Sequence, residues 1–194
     1  MLVDVRRSGL LLVDFQARLF SAMTPAVASL LPRLLLLVQA ARLLDIPLVV
    51  TRQYPRGLGP LLPEVTQALP PDLQPIDKMT FSCCAEPGLE PLFPADRDQI
   101  LIAGIETHVC VLQTAFELHG LGKIPFVLDD VCASRSLNDH TRALARMNQG
   151  GIAITTVESV VFEWLRTAKH PRFREIIQAV KDLPIENGAA APRE

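Results

Sequence analysis

Short apolar runs alternate with longer mixed segments along this chain. The apolar runs predict six β-strands, which lie at Gly9–Asp14, Ile46–Thr51, Pro75–Met79, Ile100–Ala103, Pro125–Asp129 and Ile152–Thr155. The first run, GLLLVD, is apolar at consecutive positions, which is typical of a strand that is covered on both faces. Strands that alternate with helices predict an α/β fold with a parallel sheet and right-handed crossovers.

The segments between the strands predict helices that begin and end at typical capping residues. These helices run from Thr24–Pro25 to Leu44, over Glu64–Leu69, from Thr107 to Gly120, from Ser134 or Ser136 to Gln149, and over Ser159–Thr167 and Pro171–Leu183. Because Pro32 cannot donate a backbone hydrogen bond, we expect the first helix to break or to start late near it.

The composition is that of a single globular domain. The chain has 194 residues, of which 49% are hydrophobic, which is enough to build a core. We expect the domain to span residues 1–186 and the small, polar tail 187–194 to be disordered. The formal net charge of -2 provides no basic surface for nucleic acid or an anionic membrane, and the run Leu34–Val38 is too short to span a bilayer.

The cysteines indicate the cellular compartment. The chain contains four of them, at Cys83, Cys84, Cys110 and Cys132, and no two form a CxxC pair. This spacing suits neither a structural zinc site nor a disulfide scaffold. A secretion signal has a basic segment followed by an apolar run, and the N-terminus shows no such pattern. We therefore expect a cytoplasmic protein with reduced thiols.

Ligands of a parallel sheet bind beyond the carboxyl ends of its strands. Cys110 lies just beyond one such end, in the first turn of a predicted helix, where the helix dipole lowers the pKa of a thiol. A cysteine nucleophile also needs a base and a group that holds its charge, roles that suit Asp14 and Lys78. The polar residues at all the predicted strand ends are Asp14, Arg52, Lys78, Glu106 to Cys110, Asp129 with Asp130, and Thr155 with Thr156.

Each member of this trio also has a structural interpretation. An aspartate after a strand often caps a turn, a lysine in a loop is usually solvated, and a lone cysteine in an apolar helix is most often a small core residue. The hypothesis of a site rests on the placement of Asp14, Lys78 and Cys110 at three strand ends, and the sequence leaves open whether they meet.

Three motifs resemble those of the isochorismatase-like cysteine hydrolases, a superfamily that also holds nicotinamidases and N-carbamoylsarcosine amidases. They are LLLVDFQ at Leu10–Gln16, the lysine of IDKMTFS at Ile76–Ser82, and GIETHVCVLQTA at Gly104–Ala115. The chain is also similar to the isochorismatase-domain-containing branch in QYPRGLGP (Gln53–Pro60), SRS (Ser134–Ser136), ALARM (Ala143–Met147) and HPRF (His170–Phe173).

This resemblance implies a three-layer α/β/α, Rossmann-like fold whose six-stranded parallel sheet has the order 3-2-1-4-5-6. It also implies a catalytic triad of Asp14, Lys78 and Cys110, a cis peptide bond between Ile105 and Glu106, and an oxyanion hole made of the Glu106 and Cys110 N–H groups. In the implied reaction Asp14 takes the thiol proton, Cys110 attacks a carbonyl carbon, and water hydrolyses the resulting thioester.

Side chains near the predicted mouth are candidates for substrate binding. The aromatic ones also suit ordinary packing, the glutamine a turn cap, and the histidine a helix start at the surface. For Arg135 we expect a structural ion pair with Asp129 or Asp130. The candidates for substrate binding are Phe15, Gln16, Phe20, Tyr54, Phe81 and His108.

The related nicotinamidases bind a metal through an aspartate and histidines after the second strand. Here the corresponding loop, RQYPRGLG, contains no histidine, and the four histidines of the chain show no paired ligand spacing. We therefore expect no metal and no other cofactor. The cysteine favours a small amide-type substrate.

The leading hypothesis is thus a cytoplasmic, cofactor-free cysteine hydrolase that acts on a small molecule, and the resemblance implies a homo-oligomer. The alternative is a catalytically silent, oligomeric interaction protein with the same fold. A nucleotide-binding α/β domain is a third interpretation, but neither GxGxxG nor GxxxxGK[ST] occurs in the chain.

Overall fold

The computed structural model of the protein describes residues 1–23, 29–86 and 93–184. Its strands are β1 (Ser8–Val13), β2 (Leu48–Gln53), β3 (Ile76–Lys78), β4 (Gln99–Ile105), β5 (Ile124–Ala133) and β6 (Ala153–Thr155). They form one parallel sheet in the order β3-β2-β1-β4-β5-β6. The predicted fold class and strand order are therefore confirmed.

The described helices lie between these strands and after them. Two shorter turns accompany them, a 3₁₀ turn at Cys83–Ala85 and a π-helical turn at Thr107–Val111. The α-helices are α1 (Ala17–Phe20), α2 (Leu30–Leu43), α3 (Pro55–Leu58), α4 (Pro63–Ala68), α5 (Leu112–Gly120), α6 (Leu137–Gln149), α7 (Val157–Leu165) and α8 (Phe173–Lys181). None of these helices is long and apolar enough to cross a membrane.

The sheet is the middle layer of three. Side chains of β1 alternate between its two faces, as in any strand. Leu10 and Leu12 join the core cluster that includes residues of α2, α4, α7 and α8, whereas Leu11 and Val13 join the cluster that includes residues of α5 and α6. Because both faces are covered, β1 is fully buried along its length, which explains its unbroken apolar sequence.

Two helix starts fall among the alternatives that the sequence left open. Helix α2 begins at Leu30, so Pro32 stands in its first turn, where a backbone donor is not needed. Of the two capping serines considered for α6, Ser136 is the cap, since its Oγ accepts the Asp139 N–H. The Thr24–Pro25 start and the tail 187–194 lie outside the described residues.

Strand β5 is longer than predicted and irregular. Its pairing with β4 shifts between Ile102 and Gly104, so that Ile102 pairs with Val127 but Gly104 pairs with Cys132. The intervening part of β5 carries Asp129 and Asp130, which therefore lie within the strand and not beyond its end. This longer strand brings the start of the β5–α6 connection up to the end of β4, next to Cys110.

Candidate active site

Asp14 occupies the end of β1 at the centre of the sheet. It is fully buried, and its backbone has a left-handed conformation with φ of 57°. Its Oδ1 accepts a hydrogen bond from Thr51 Oγ1 at 2.8 Å, and its Oδ2 lies 2.7 Å from Lys78 Nζ. A buried carboxylate needs such partners, because burial without them disfavours its charge.

Lys78, at the end of β3, is the positive centre of the site, and its side chain is also fully buried. Burial opposes its charge, but the nearby Asp14 carboxylate and the Cys110 sulfur outweigh this effect and raise the Lys78 pKa. The ammonium group is therefore charged at neutral pH. Its neighbours are Asp14 Oδ2 (2.7 Å), Gln53 Oε1 (2.5 Å), Phe81 O (3.1 Å), Thr80 O (3.2 Å) and Cys110 Sγ (3.6 Å).

Cys110 is 5% exposed. Its Sγ and Gln53 Oε1 both contact Lys78 Nζ. Burial and, second, the charge of Asp14 raise the pKa of its thiol to about 12, although Lys78 acts in the opposite direction. The sequence-based prediction of a lowered thiol pKa is therefore wrong. The resting group is a thiol beside a carboxylate, because burial and the charge of Asp14 outweigh the effect of Lys78.

The turn that presents Cys110 is π-helical and does not begin with an N-cap at Thr107. The Glu106 carbonyl accepts the N–H groups of Val109 at 3.0 Å and Val111 at 3.3 Å. The residue before the turn is Glu106, which makes no side-chain capping hydrogen bond, and the Thr107 hydroxyl lies 2.9 Å from His140 Nδ1. Single π turns of this kind are frequent at functional sites.

Two backbone features adjoin this turn. The Ile105–Glu106 peptide bond is cis, at the position where the family resemblance implies one. Gly104 packs directly against the end of β1, and a Cβ there would come within 2.5 Å of Val13 Cβ and 2.8 Å of Val13 O. A glycine is required at this position because β4 and β1 approach so closely.

Arg135 does not pair with Asp129 or Asp130, as the sequence analysis expected. Its backbone N–H and its Nε both donate to Glu106 Oε2, at 2.9 and 3.1 Å. The two aspartates bind other partners, Asp129 binding His140 and Asp130 binding Arg33 and the first N–H of α7. The irregular stretch of β5 accounts for this difference, because it moves both aspartates away from the strand end.

Two of the predicted substrate-binding residues are core residues. Phe15 is fully buried in the cluster that includes α2, on the opposite face of the sheet from the cluster that contains Cys110. Gln16 is fully buried as well, and its amide binds the backbone of Gln53 (O at 3.1 Å and N at 2.8 Å) and of Gly59 (O at 2.7 Å). Phe15 thus packs the core and Gln16 fastens the loop after β2, and their role in substrate binding stays a prediction.

The other candidates are more accessible. Phe20 and His108 are half-buried, and Phe20 packs against the core. Tyr54 and Phe81 are 47% and 54% exposed, on loops that contact Lys78 through their backbones: Tyr54 N–H donates to Lys78 O, and Phe81 O accepts from Lys78 Nζ. Met79, at 67% exposure, lies on the same loop as Phe81. The role of Phe20, Tyr54, Phe81 and His108 in substrate binding stays a prediction.

Sequence reasoning missed Thr51 and Gln53, which hold Asp14 and Lys78. The available signal was the alternation of β2, since residues two apart share a face. We singled out Arg52, which points the other way and pairs with the half-exposed Asp77 at 2.7 Å. Thr51 and Gln53 are two positions apart and therefore lie on the same face of β2, the face on which the site lies.

The loop after β3 is fastened to α5. Cys83 N–H donates to Thr114 Oγ1 at 2.9 Å, and Ser82 Oγ donates to Glu117 Oε2 at 2.6 Å. Cys83 is buried, which raises the pKa of its thiol to about 11. Within residues 1–23, 29–86 and 93–184, no cluster of three or more His, Cys, Asp or Glu side chains could hold a metal ion.

The site and the sheet together define a class of α/β protein with a buried Asp-Lys-Cys cluster at the switch point between β1 and β4. A family model described as the isochorismatase domain matches residues 8–159. The chain belongs to this family of isochorismatase-like hydrolases.

Individual relatives agree with this assignment. Isochorismatase domain-containing protein 2A of Mus musculus is 37% identical over 183 residues, which cover 93% of this chain and 86% of the relative. The solved structure of MAR1 ribonuclease from Caenorhabditis elegans has a TM-score of 0.87, 31% identity and full coverage of both chains. YcaC from Escherichia coli, described as an octameric hydrolase of unknown specificity, has a TM-score of 0.82 and 25% identity over 95% of this chain and 98% of its own.

Proposed function

We propose that this protein is a cysteine hydrolase that cleaves a small amide-type C–N bond through a thioester on Cys110. The observation that carries the proposal is the position of Lys78 Nζ, 2.7 Å from Asp14 Oδ2 and 3.6 Å from Cys110 Sγ. One buried cation thus contacts both a carboxylate that can accept a proton and a sulfur that can donate it. A purely structural lysine has no need of this arrangement.

In the first chemical step Cys110 Sγ attacks the substrate carbonyl carbon while its proton passes to Asp14. Because the thiol pKa is raised to about 12, the proton leaves as the S–C bond forms and not beforehand. Lys78 stays charged and stabilises the negative charge on either partner as it moves between them. The oxyanion of the tetrahedral intermediate binds the N–H groups of Glu106 and Cys110.

In the second half of the reaction the amine leaves with the proton held by Asp14, and the thioester remains on Cys110. A water molecule then attacks the thioester carbon, Asp14 takes one of its protons, and the thiol is regenerated. Asp14 thus acts as acid and base in turn, which requires that it stay next to Sγ throughout. Its contacts to Thr51 and Lys78 hold it there.

We assign substrate contact to the rim formed by Tyr54, Phe81 and His108, with Phe20 at its edge. The exposure of Tyr54 and Phe81 and their backbone contacts to Lys78 support this assignment. A small molecule with an apolar part next to its amide fits these surroundings.

We also propose a homo-oligomer in the cytoplasm. The octameric state named for the E. coli relative supports assembly, as does the exposure of Met79, Leu137 and Phe162. All four cysteines are free thiols, as expected in a reducing compartment. Light scattering after size-exclusion chromatography measures the assembly directly, and a monomer at micromolar concentration would contradict it.

The test of the hydrolase proposal is a screen of small amides for ammonia or amine release. The wild type is compared with Cys110→Ala and with Cys132→Ala, a matched control in which another buried cysteine is removed. We expect turnover by the wild type and by the control but not by Cys110→Ala. RNA belongs in the same screen, because the C. elegans relative is named a ribonuclease.

Two results would overturn the proposal. Amide turnover that survives in folded Cys110→Ala places the chemistry elsewhere. A wild type that turns over no amide, and whose Cys110 is not acylated by an activated ester, favours the silent interaction protein.

A further inference from the structure

Three residues shortly before Cys110 are all bound by one segment of the chain. Glu106 binds Arg135, Thr107 Oγ1 lies 2.9 Å from His140 Nδ1, and His108 Nδ1 lies 2.9 Å from Ser134 Oγ. The partners come from the connection between β5 and α6 and from the first turn of α6. None of these contacts involves Asp14 or Lys78, so they form a second polar network on another side of Cys110.

The contact of Thr107 belongs to a longer hydrogen-bonded chain. His140 Nε2 lies 3.0 Å from Asp129 Oδ1, so the imidazole bridges a hydroxyl and a carboxylate. Exposure rises along this chain: Thr107 is fully buried, while the side chains of His140 and Asp129 are 15% and 47% exposed. The buried end adjoins Glu106, and the outer end reaches solvent.

The chemistry of these groups fixes the direction of each hydrogen bond. A carboxylate only accepts, so His140 Nε2 carries the proton that is donated to Asp129. In the neutral imidazole Nδ1 is then an acceptor, so the Thr107 hydroxyl donates to it. This hydrogen bond ties the Thr107 side chain to the first turn of α6.

We propose that Thr107, His140 and Asp129 form a positioning chain that holds the Glu106 and Cys110 N–H groups in place to bind the oxyanion. The proposal rests on the acyl transfer proposed above. The three residues do not touch the reacting atoms. They act by fixing the backbone between Ile105 and Cys110, whose first π-turn residue is Thr107.

Two reactions of the same sulfur separate this role from general structural support. Acetylation of Cys110 by p-nitrophenyl acetate forms an S–C bond and a tetrahedral oxyanion, which collapses to the thioester as p-nitrophenolate leaves. Alkylation by iodoacetamide displaces iodide directly and forms no oxyanion. Damage to the oxyanion hole therefore slows acetylation and leaves alkylation unchanged.

The variants are chosen to remove one hydrogen bond at a time. Thr107→Val keeps the shape of the side chain and removes its hydroxyl, whereas Thr107→Ser keeps the hydroxyl. His140→Asn retains an acceptor near the Nδ1 position, and His140→Gln retains a donor near the Nε2 position. Thr141→Val is the control, because Thr141 is an exposed residue of α6 whose hydroxyl donates to the Leu137 carbonyl.

We expect Thr107→Val and His140→Gln to lower the acetylation rate about tenfold relative to alkylation, a part of the 10²–10³-fold loss that removing an oxyanion donor causes. Thr107→Ser and His140→Asn should retain most of the ratio, and Thr141→Val all of it. Mass spectrometry identifies Cys110 as the modified residue, and circular dichroism establishes folding. If Thr107→Val does not fold, His140→Gln carries the test.

An unchanged ratio of acetylation to alkylation in His140→Gln and Thr107→Val overturns the proposal. So does an equal fall of both rates, because it indicates structural damage, and so does a larger effect of His140→Asn than of His140→Gln. A wild type whose Cys110 is alkylated but never acetylated overturns the proposed acyl transfer, and the positioning role with it.

Discussion

Cys110 lies between two polar regions that are built in different ways. On one side Asp14 and Lys78 are fully buried charges from two strand ends, each with several short contacts. On the other side Glu106, Thr107 and His108 bind a segment that becomes exposed toward Asp129 and Arg135. In the reaction proposed above, the first region handles protons and charge at the sulfur, and the second fixes the backbone next to it.

This difference predicts where the protein is sensitive to substitution. In the buried region the removal of one charge leaves its partner unsolvated, so single changes are costly. In the second region the outer groups can exchange their protein partners for water, so only the inner ones matter. The predictions below test this contrast, from the largest expected effect to the smallest.

The largest effect is expected from Lys78→Met, which leaves the Asp14 carboxylate buried without its cation. We expect a loss of about 3–5 kcal/mol in the free energy of unfolding and no turnover, because breaking a buried pair has a cost of this size. Urea denaturation followed by circular dichroism measures it. Lys169→Met, at an exposed position, is the matched control and should be neutral.

The double variant Asp14→Asn/Lys78→Met sharpens this result. In the double variant the lysine substitution leaves no buried carboxylate without a cation. The double variant should therefore be more stable than Lys78→Met alone. If the double variant loses as much stability as Asp14→Asn and Lys78→Met lose together, the two residues do not interact.

The next prediction concerns the pH dependence of the Cys110 reaction with iodoacetamide. A thiol with its pKa raised to about 12 stays protonated at pH 7, so the reactive thiolate increases by roughly tenfold per pH unit through pH 9 and above. The rate should therefore rise without levelling off near 8.5, as measured by mass spectrometry of the labelled peptide. A labelling rate that levels off below pH 8.5 would mean that Lys78 lowers the Cys110 pKa by more than burial raises it.

The two regions also differ in how well the sequence predicted them. The six strands follow from apolar runs, and Asp14, Lys78 and Cys110 were selected from polar residues at the strand ends, because both patterns are local. The strand order came from the family resemblance and not from these patterns. The burial of Phe15 and Gln16 was not predicted, since residues directly after a strand can turn either into the core or out of it. The left-handed backbone at Asp14, which precedes them, cannot be read from the sequence either.

The second region was harder to predict for a different reason. His140 and Thr107 are 33 positions apart, and they meet only because β5 runs on to Ala133 with a shifted register. Neither the length of β5 nor the shift can be read from PFVLDDVCA, whose aspartates suggest that the strand ends there. The expected pairing of Arg135 with those aspartates was wrong for the same reason.

A smaller effect is expected from Thr51→Val, which keeps the branched shape and removes the hydrogen bond to Asp14 Oδ1. We expect a loss of about 2 kcal/mol in the free energy of unfolding, as for other buried hydrogen bonds to charged groups. Arg52→Gln, one position along the same strand, should change the stability by no more than about 0.5 kcal/mol, because its pair with Asp77 is near the surface. A larger effect of Arg52→Gln than of Thr51→Val would reverse the assignment of the two faces of β2.

The smallest effect is expected from Arg135→Gln in the second region. The Arg135 side chain is 65% exposed, and the Glu106 carboxylate keeps the Arg135 backbone N–H at 2.9 Å after the substitution. Stability should therefore change by about 0.5 kcal/mol or less, in thermal unfolding as in urea, and the acetylation rate of Cys110 should stay within about twofold of the wild type. A fall in acetylation of tenfold or more with unchanged stability would show that the guanidinium group contacts the substrate. The rule that the exposed groups of the second region matter little would then not hold at Arg135.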